Sequence, residues 1–335
     1  MNRINIIHTH INNTSINDTS INDTSINDYT VNKIGLIGVS YSVAQPIIGC
    51  ERASNCMIDR GLISMLRRKN CVRYEEDIQI VEEDKDCISF SSDGRIIKNA
   101  WSIGQTSFNI FQRSLEIRMK GYIPLIIGGD HSIALGSVAS ALVNDPNVGI
   151  LWIDAHGDIN TPTTSLTMNL HGMPLSFLMR LVNPSSIKGF KWMYNIPILK
   201  PDRLVYIGIR DLDVAEKEII KKLGITNYTM EDIKLYGIDR IMDMALKQLQ
   251  TKSSTSIHVS WDIDALDPIV APITGTPVCG GLSKKESLLI AKRIASTKSL
   301  TSIDMVEINP LLGSNIDDSN ETIDIANQII CNMFN

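Results

Sequence analysis

The chain has 335 residues, of which 43% are hydrophobic and 21% are charged, and its formal net charge is −5 at pH 7. This is the composition of an ordinary globular protein with a large core, and its acidic balance provides no basic surface for nucleic acid. No apolar run approaches the roughly 18 residues that a membrane span needs. We therefore expect neither a nucleic-acid nor a membrane partner.

The first thirty residues differ from the rest of the chain. From Ser15 a five-residue unit repeats as SINDT, SINDT and SINDY, with one apolar residue per unit. Burial of this small apolar surface cannot offset the entropy lost on ordering the segment. We therefore predict a disordered tail over residues 1–30. The segment has no hydrophobic stretch typical of a secretion signal, and its aspartates disfavour a mitochondrial presequence. The six cysteines of the chain form no CxxC pair, which also favours a cytoplasmic location.

From residue 31 to residue 335, short apolar runs alternate with segments of helical spacing. The runs predict strands at Lys33–Val39, Ile123–Gly128, Val148–Ile153, Arg203–Ile209, Ser256–Trp261 and Thr301–Val306. Helices are predicted at Ala100–Lys120, Ile133–Val143, Ala215–Leu223, Ile238–Leu249 and Lys284–Ala295. Continuous apolar strands separated by helices are typical of a parallel sheet covered on both faces. We predict one doubly wound α/β domain over residues 31–335.

Polar motifs follow five of the six predicted strands. They are GGDHS (Gly128–Ser132), DAHGD (Asp154–Asp158), RDLD (Arg210–Asp213), DIDALDP (Asp262–Pro268) and EINP (Glu307–Pro310). Ligands of such sheets bind beyond the carboxyl ends of the strands, so these motifs should meet at one edge. That much negative charge in one place requires a counter-charge, and bound cations are the simplest source.

Six side chains in these motifs have the chemistry of metal ligands: His131, Asp154, His156, Asp158, Asp262 and Asp264. The three in DAHGD occupy alternate positions and share one face if the segment is extended. Oxygen and imidazole ligands without sulfur favour Mn²⁺, and to a lesser degree Fe²⁺, Co²⁺ or Zn²⁺, over a structural zinc site. Six ligands exceed the needs of one catalytic ion and suit two ions roughly 3.5–4 Å apart.

Each of these residues also has a structural alternative when it is considered alone. An aspartate at a strand end often caps a helix, and a histidine often packs in a core. We assign His258, which lies inside a predicted strand, to the core. His171 has two readings, a cap of the following helix or a proton-transfer group, since an ordinary imidazole titrates near neutral pH. The six ligands taken together favour a metal site.

The motifs GGDHS, DAHxD and SxDxDxxDP, the last at Ser260–Pro268, resemble those of the ureohydrolase (arginase–agmatinase) family and occur in the family's order. The resemblance extends from about Lys33 to the C-terminal helix. Within the family the chain is most similar to arginases. The segments that carry this similarity are DINTPTTSLTMNLHG (Asp158–Gly172), RDLDVAE (Arg210–Glu216), GTPVCGGLS (Gly275–Ser283) and MVEINP (Met305–Pro310).

The resemblance implies a hydrolase with two Mn²⁺ ions per subunit that converts L-arginine and water to L-ornithine and urea. A metal-bridging hydroxide would attack the guanidinium carbon. The resemblance implies one ion held by His131, Asp154, Asp158 and Asp262, and a second held by His156, Asp154, Asp262 and Asp264.

The same resemblance implies roles for the residues around the substrate. The α-carboxylate would meet Asn160, Thr167 and Asn169, and the α-ammonium would meet Asp213 and Glu216. Thr276 and Glu307 would lie near the guanidinium. His171 would shuttle protons, and Asp158 would carry the proton of the nucleophile to the departing amine.

The sequence departs from the usual arginase pattern in three places. Thr167 stands where serine is common, and Ala53-Ser54 stands where Gly-Pro is usual. The long C-terminal tail that bridges subunits in animal arginases has no counterpart before Asn335. Since family members usually form trimers or hexamers, we expect a homotrimer.

Three other functions are compatible with parts of this pattern. An agmatinase would share the metal ligands but would not need the amides of Asn160 and Asn169. A catalytically inactive regulatory relative would be expected to lose metal ligands, and all six are present. A metal-storage protein would need neither His171 nor Glu307.

Overall fold

The computed structural model describes residues 31–335, and the tail predicted over residues 1–30 lies outside the described residues. The strands are β1 (Lys33–Ser40), β2 (Cys71–Gln79), β3 (Ser89–Phe90), β4 (Ile96–Ile97), β5 (Ile123–Ile127), β6 (Gly149–Ile153), β7 (Leu204–Ile209), β8 (Thr226–Thr229), β9 (Ile257–Asp262) and β10 (Leu300–Val306). The helices are α1 (Ala53–Asp59), α2 (Leu62–Leu66), α3 (Ala100–Met119), α4 (Ala134–Asn144), α5 (Pro174–Leu178), α6 (Val214–Leu223), α7 (Met230–Tyr236), α8 (Ile238–Leu249), α9 (Lys284–Thr297) and α10 (Ile316–Met333).

Eight of the strands form a parallel sheet in the order β2-β1-β5-β10-β9-β6-β7-β8, and β3 and β4 form a separate antiparallel hairpin. The six strands predicted from sequence are all present, with ends that agree to within one residue. The prediction of a parallel α/β sheet is therefore confirmed. Four strands were not predicted from sequence: β2 and β8, which lie at the two edges of the sheet, and the hairpin strands β3 and β4.

Two hydrophobic cores cover the two faces of the sheet, because successive side chains of a strand point to opposite faces. Leu125 and Val259 belong to one core, which α1, α2 and α7 to α10 complete. Ile126 and Trp152 belong to the other, which α3 to α6 complete. Burying one such side chain stabilises the fold by roughly 1.5–3 kcal/mol. The strands are thus rigid supports for the loops at their carboxyl ends.

Local sequence signals define where several helices begin. At α9, Ser283 accepts a hydrogen bond from the Glu286 backbone N–H, and Glu286 accepts one from the Ser283 backbone N–H. This reciprocal capping satisfies two amides that the helix leaves unpaired.

Within residues 31–335, none of the helices combines the length and apolar character that a membrane crossing needs.

Candidate active site

The predicted metal ligands and Glu307 lie beyond the carboxyl ends of four adjacent strands, in the sheet order β5, β10, β9 and β6. Because the strands are parallel, residues far apart in the chain meet at this edge. The loops after β5, β6 and β10 and the end of β9 supply seven side chains: His131, Asp154, His156, Asp158, Asp262, Asp264 and Glu307.

Two glycines shape the turn that presents His131. Gly128 and Gly129 have φ values of 86° and 80°, a region that other residues rarely adopt. A Cβ atom at Gly128 would lie only 3.0 Å from the backbone nitrogen of Ser54. The Gly129 carbonyl accepts a hydrogen bond from the Glu307 backbone N–H at 3.0 Å. The turn therefore holds His131 and Glu307 at neighbouring strand ends.

One group of candidate ligands surrounds His131, whose side chain is fully buried. Its Nδ1 atom lies 3.1 Å from Asp154 Oδ2, 3.0 Å from Asp158 Oδ2 and 3.2 Å from Asp262 Oδ2. The ligand atoms of His131, Asp154 and Asp262 all lie within 4.8 Å of one another, close enough to hold one metal ion.

The hydrogen bonds behind His131 determine which of its nitrogens carries the proton. Its Nε2 lies 2.9 Å from the Ser260 hydroxyl, and that hydroxyl donates its own proton to Asp304. The Ser260 oxygen is therefore the acceptor, and the proton of His131 is on Nε2. The unprotonated Nδ1 is buried, has no hydrogen-bond donor near it within residues 31–335, and faces three carboxylates. A lone pair that faces three carboxylate oxygens fits a bound cation.

A second group of candidate ligands surrounds His156. Its Nδ1 atom lies 3.0 Å from Asp264 Oδ2 and 3.5 Å from Asp154 Oδ1. Asp264 also accepts hydrogen bonds from the Thr276 hydroxyl and the Ala155 backbone N–H. Asp154 takes part in both groups, with Oδ2 toward His131 and Oδ1 toward His156. Two groups that share one carboxylate suit a pair of ions.

The neighbouring side chains only partly offset the charge of these carboxylates. Burial and then the neighbouring Asp154 raise the pKa of Asp158 to about 6. Burial, followed by the charges of Asp264 and Asp154, raises the pKa of Asp262 well above its usual range. Divalent cations would relieve this repulsion and hold the carboxylates ionised. The donor set, which contains oxygen and imidazole but no sulfur, fits manganese.

A cleft of about 330 Å³ opens beside the two groups. Its lining includes three of the candidate ligands, His156, Asp158 and Asp262. It also includes six residues predicted to bind the substrate and the predicted proton-transfer residue. These are Asn160, Thr167, Asn169, Asp213, Glu216 and Thr276, and His171. The structure thus gathers the predicted substrate-binding residues around one opening.

Hydrogen bonds connect the two sides of this cleft. Asn160 Nδ2 donates to Asp213 Oδ2 at 2.8 Å. Glu216 accepts from the backbone N–H groups of Ile159 and Asp213 at 3.2 and 3.1 Å. Burial and the nearby Asp158 raise the pKa of Glu216 to about 7. Glu216 therefore ties the segment after Asp158 to the start of α6.

Glu307 lies behind His171 and is only 2% exposed. Its Oε1 accepts from the His131 backbone N–H at 2.9 Å and lies 3.1 Å from His171 Nδ1. Its Oε2 accepts from Gln45 Nε2 at 3.0 Å. Burial lowers the pKa of His171, but Glu307 outweighs it and raises that pKa to about 9. The start of α5 has no side-chain cap, so His171 contacts Glu307 instead of capping that helix.

Several contacts at the site were not predicted from sequence. Gln45 contacts Glu307, and Lys98 Nζ donates to Asn169 Oδ1 at 3.1 Å. Asp304 supports His131 through Ser260, and His258, assigned to the core, is buried against Asp304. No spacing pattern marks these residues, because each contact joins distant parts of the chain.

The structure locates the residues that depart from the usual arginase pattern. Ala53 and Ser54 begin α1, where the buried Ser54 hydroxyl donates to Asp77 Oδ2 at 3.2 Å. Thr167 lines the cleft, and its hydroxyl oxygen accepts from the Asn169 backbone N–H at 3.2 Å. Thr167 thus orders the residue that follows it by two positions.

Comparison with known proteins identifies the family of the chain. Residues 32–335 match the model of the Arginase family. Arginase-1 of Homo sapiens is 37% identical over 296 residues, which cover 88% of this chain and 90% of that protein. The arginase of Neurospora crassa is 38% identical over 286 residues, with coverage of 84% and 79%. The structure of the arginase from Bacillus caldovelox matches with a TM-score of 0.81 at 33% identity, covering 91% of this chain and 98% of that one. The chain belongs to the arginase family and is a hydrolase of the arginase type.

Proposed function

We propose that the protein is a dinuclear manganese arginase that hydrolyses L-arginine to L-ornithine and urea. The observation that carries this proposal is the position of the two candidate metal groups. They share Asp154 and border a cleft lined by amide, hydroxyl and carboxylate side chains. A metal-storage site would have no use for such a cleft.

The metal ligands of this proposal extend the two groups, with Asp158 added at the first ion and Asp262 at the second. His131, Asp154, Asp158 and Asp262 would hold one Mn²⁺, and His156, Asp154, Asp262 and Asp264 would hold the other. Such ions supply positive charge that lowers the pKa of water, which provides a nucleophile near neutral pH. The guanidinium group is a poor electrophile because its charge is delocalised, so this activation is needed.

The side chains around the ions would move protons and orient the substrate. Asp158 borders the cleft and can accept a proton and deliver it to the departing amine. Glu307 and Thr276 would orient the guanidinium. The His171 side chain is 20% exposed whereas that of Glu307 is 2% exposed, which supports a role for His171 in exchanging protons with solvent.

The amino-acid end of the substrate would bind at the opposite end of the cleft. Asn160, Thr167 and Asn169 offer hydrogen-bond donors to an α-carboxylate, and Asp213 and Glu216 offer carboxyl oxygens to an α-ammonium. Agmatine, the substrate of an agmatinase, lacks the carboxylate and would leave those donors unpaired. A site built to hydrogen-bond a group rejects the analogue that lacks it.

Release of urea from L-arginine and from agmatine, measured on the Mn²⁺-loaded protein, tests the proposal. We expect kcat/KM to favour arginine by about 100-fold or more, since the donors at the partly open cleft are only partly desolvated. Asn169→Ala should weaken arginine binding, and Asn183→Ala, at an exposed turn, is the matched control. Equal rates with the two substrates would identify an agmatinase or a promiscuous relative, and absence of turnover would indicate a regulatory protein.

We also propose that the protein is a cytoplasmic homotrimer, which the resemblance to arginases supports. Light scattering of the purified full-length chain gives the mass of the assembly directly. A mass of one or two subunits would exclude the trimer.

A further inference from the structure

The segment Asn160–Asn169, here called the recognition segment, contains most of the residues proposed to bind the substrate carboxylate. It has no helix or strand of its own. Such a segment needs support from elsewhere if it is to hold donors in place. The β3–β4 hairpin provides this support.

Arg95, which directly precedes β4, binds the backbone of the recognition segment. Its Nη1 donates to the Ser165 carbonyl at 2.5 Å, and its Nη2 donates to the carbonyls of Pro162 and Thr163 at 2.9 and 3.1 Å. Its Nε donates to Asp93 Oδ2 at 2.9 Å, which orients the guanidinium plane. One planar guanidinium group therefore contacts three carbonyls within four residues of the segment.

Lys98, which directly follows β4, determines the orientation of the Asn169 amide. Because Lys98 Nζ can only donate, the atom 3.1 Å away must be the amide oxygen. The amide nitrogen makes no hydrogen bond within residues 31–335 and remains available as a donor at the cleft. Among the described residues that line the cleft, there is no lysine or arginine. Lys98 therefore also brings positive charge close to the proposed carboxylate position.

We infer that Arg95 and Lys98 are specificity-determining positioning residues, through which the hairpin makes the recognition segment selective for substrates that carry an α-carboxylate. Arg95 holds the backbone in the shape that presents Thr167 and Asn169. Lys98 keeps the donor end of the Asn169 amide free. This inference rests on the proposed function, because it assumes that the recognition segment meets the carboxylate.

The test uses full-length, Mn²⁺-loaded protein with Arg95→Met, which removes every side-chain N–H donor of Arg95 and retains much of its aliphatic volume. We expect KM for L-arginine to rise about 10-fold or more, since charge-assisted hydrogen bonds are among the stronger ones. The kcat for arginine and the kcat/KM for agmatine should stay within about 2-fold, because the metal groups are not contacted. Arg113→Met is the matched control, since the Arg113 side chain is 32% exposed and that of Arg95 is 37% exposed.

Hydrogen exchange provides a readout that does not depend on turnover. In Arg95→Met the amides of residues 160–169 should exchange faster, whereas those of residues 257–264 should not change. Lys98→Met should raise KM for arginine without this change in exchange, because it affects one side chain only.

The outcomes separate the two proposals. If the wild-type protein hydrolyses agmatine as well as arginine, the proposed function fails. If wild type prefers arginine and Arg95→Met retains that preference, the inference fails alone. Equal losses with both substrates, or unchanged exchange in residues 160–169, would likewise overturn it.

Discussion

His171 and Glu307 form a hydrogen-bonded pair that connects the cleft to a buried carboxylate, with 3.1 Å between Nδ1 and Oε1. Neither residue belongs to the two candidate metal groups. His171→Asn should therefore keep the metal content and lower kcat by about 10-fold or more, the range of general acid–base groups. Steady-state kinetics and metal analysis on the same sample check both parts. An unchanged rate and pH profile would leave His171 with a structural role only.

Asp264→Asn should remove one of the two proposed ions and most of the activity. The replacement keeps the shape of the side chain but removes a charge that the cation needs. The control is Asp267→Asn in the same motif, whose carboxylate accepts from the Ile269, Gly280 and Gly281 backbone N–H groups instead of facing a metal group. Elemental analysis should give one ion for the first variant and two for the second. Two ions and full turnover in Asp264→Asn would contradict the ligand assignment.

Ser260→Ala should weaken metal binding although Ser260 is not a proposed ligand. The substitution removes the acceptor that keeps the proton of His131 on Nε2. Loss of such a supporting hydrogen bond typically costs about 10–100-fold in metal affinity. Titration of Mn²⁺ against a chelator measures the effect, and Ser287→Ala, at another fully buried serine, is the control. Equal affinities in the two variants would show that the Ser260 contact does not support His131.

Deletion of residues 1–30 should leave the melting temperature and the activity nearly unchanged. The cores, the candidate metal groups and the cleft are all built from residues 31–335. Thermal unfolding and urea release from the shortened chain test this. A lower melting temperature, loss of activity or a smaller assembly would reveal a docking role for the tail.

Strands buried on both faces were predictable from sequence, but the two edge strands were not. The strand β1 reads as a continuous apolar run because helices cover both of its faces. The edge strand β8 has the sequence TNYT, and all four residues are only partly buried. An edge strand faces solvent along one side, so its sequence lacks the apolar run that identifies a central strand.

The meeting of the candidate ligands at one edge of the sheet was predictable for a related reason. Parallel strands place the residues that follow them at one edge, so motifs after separate strands must meet. Gln45 and Arg95 lie in loops whose partners are 262 and 70 residues away in the chain. Neither periodicity nor spacing contains information about such contacts. They required the folded structure.

The place of β10 in the sheet has a consequence for how the chain folds. This strand comes last in the sequence, but it lies between β5 and β9 near the middle of the sheet. Without Leu300–Val306 between them, β5 and β9 would each present an open edge of unpaired backbone groups, the kind of edge that is prone to aggregation. Because Glu307 directly follows β10, the insertion that closes these edges also completes the candidate site. The pairing of β10 with its two neighbours therefore both closes the sheet and brings Glu307 to the candidate site.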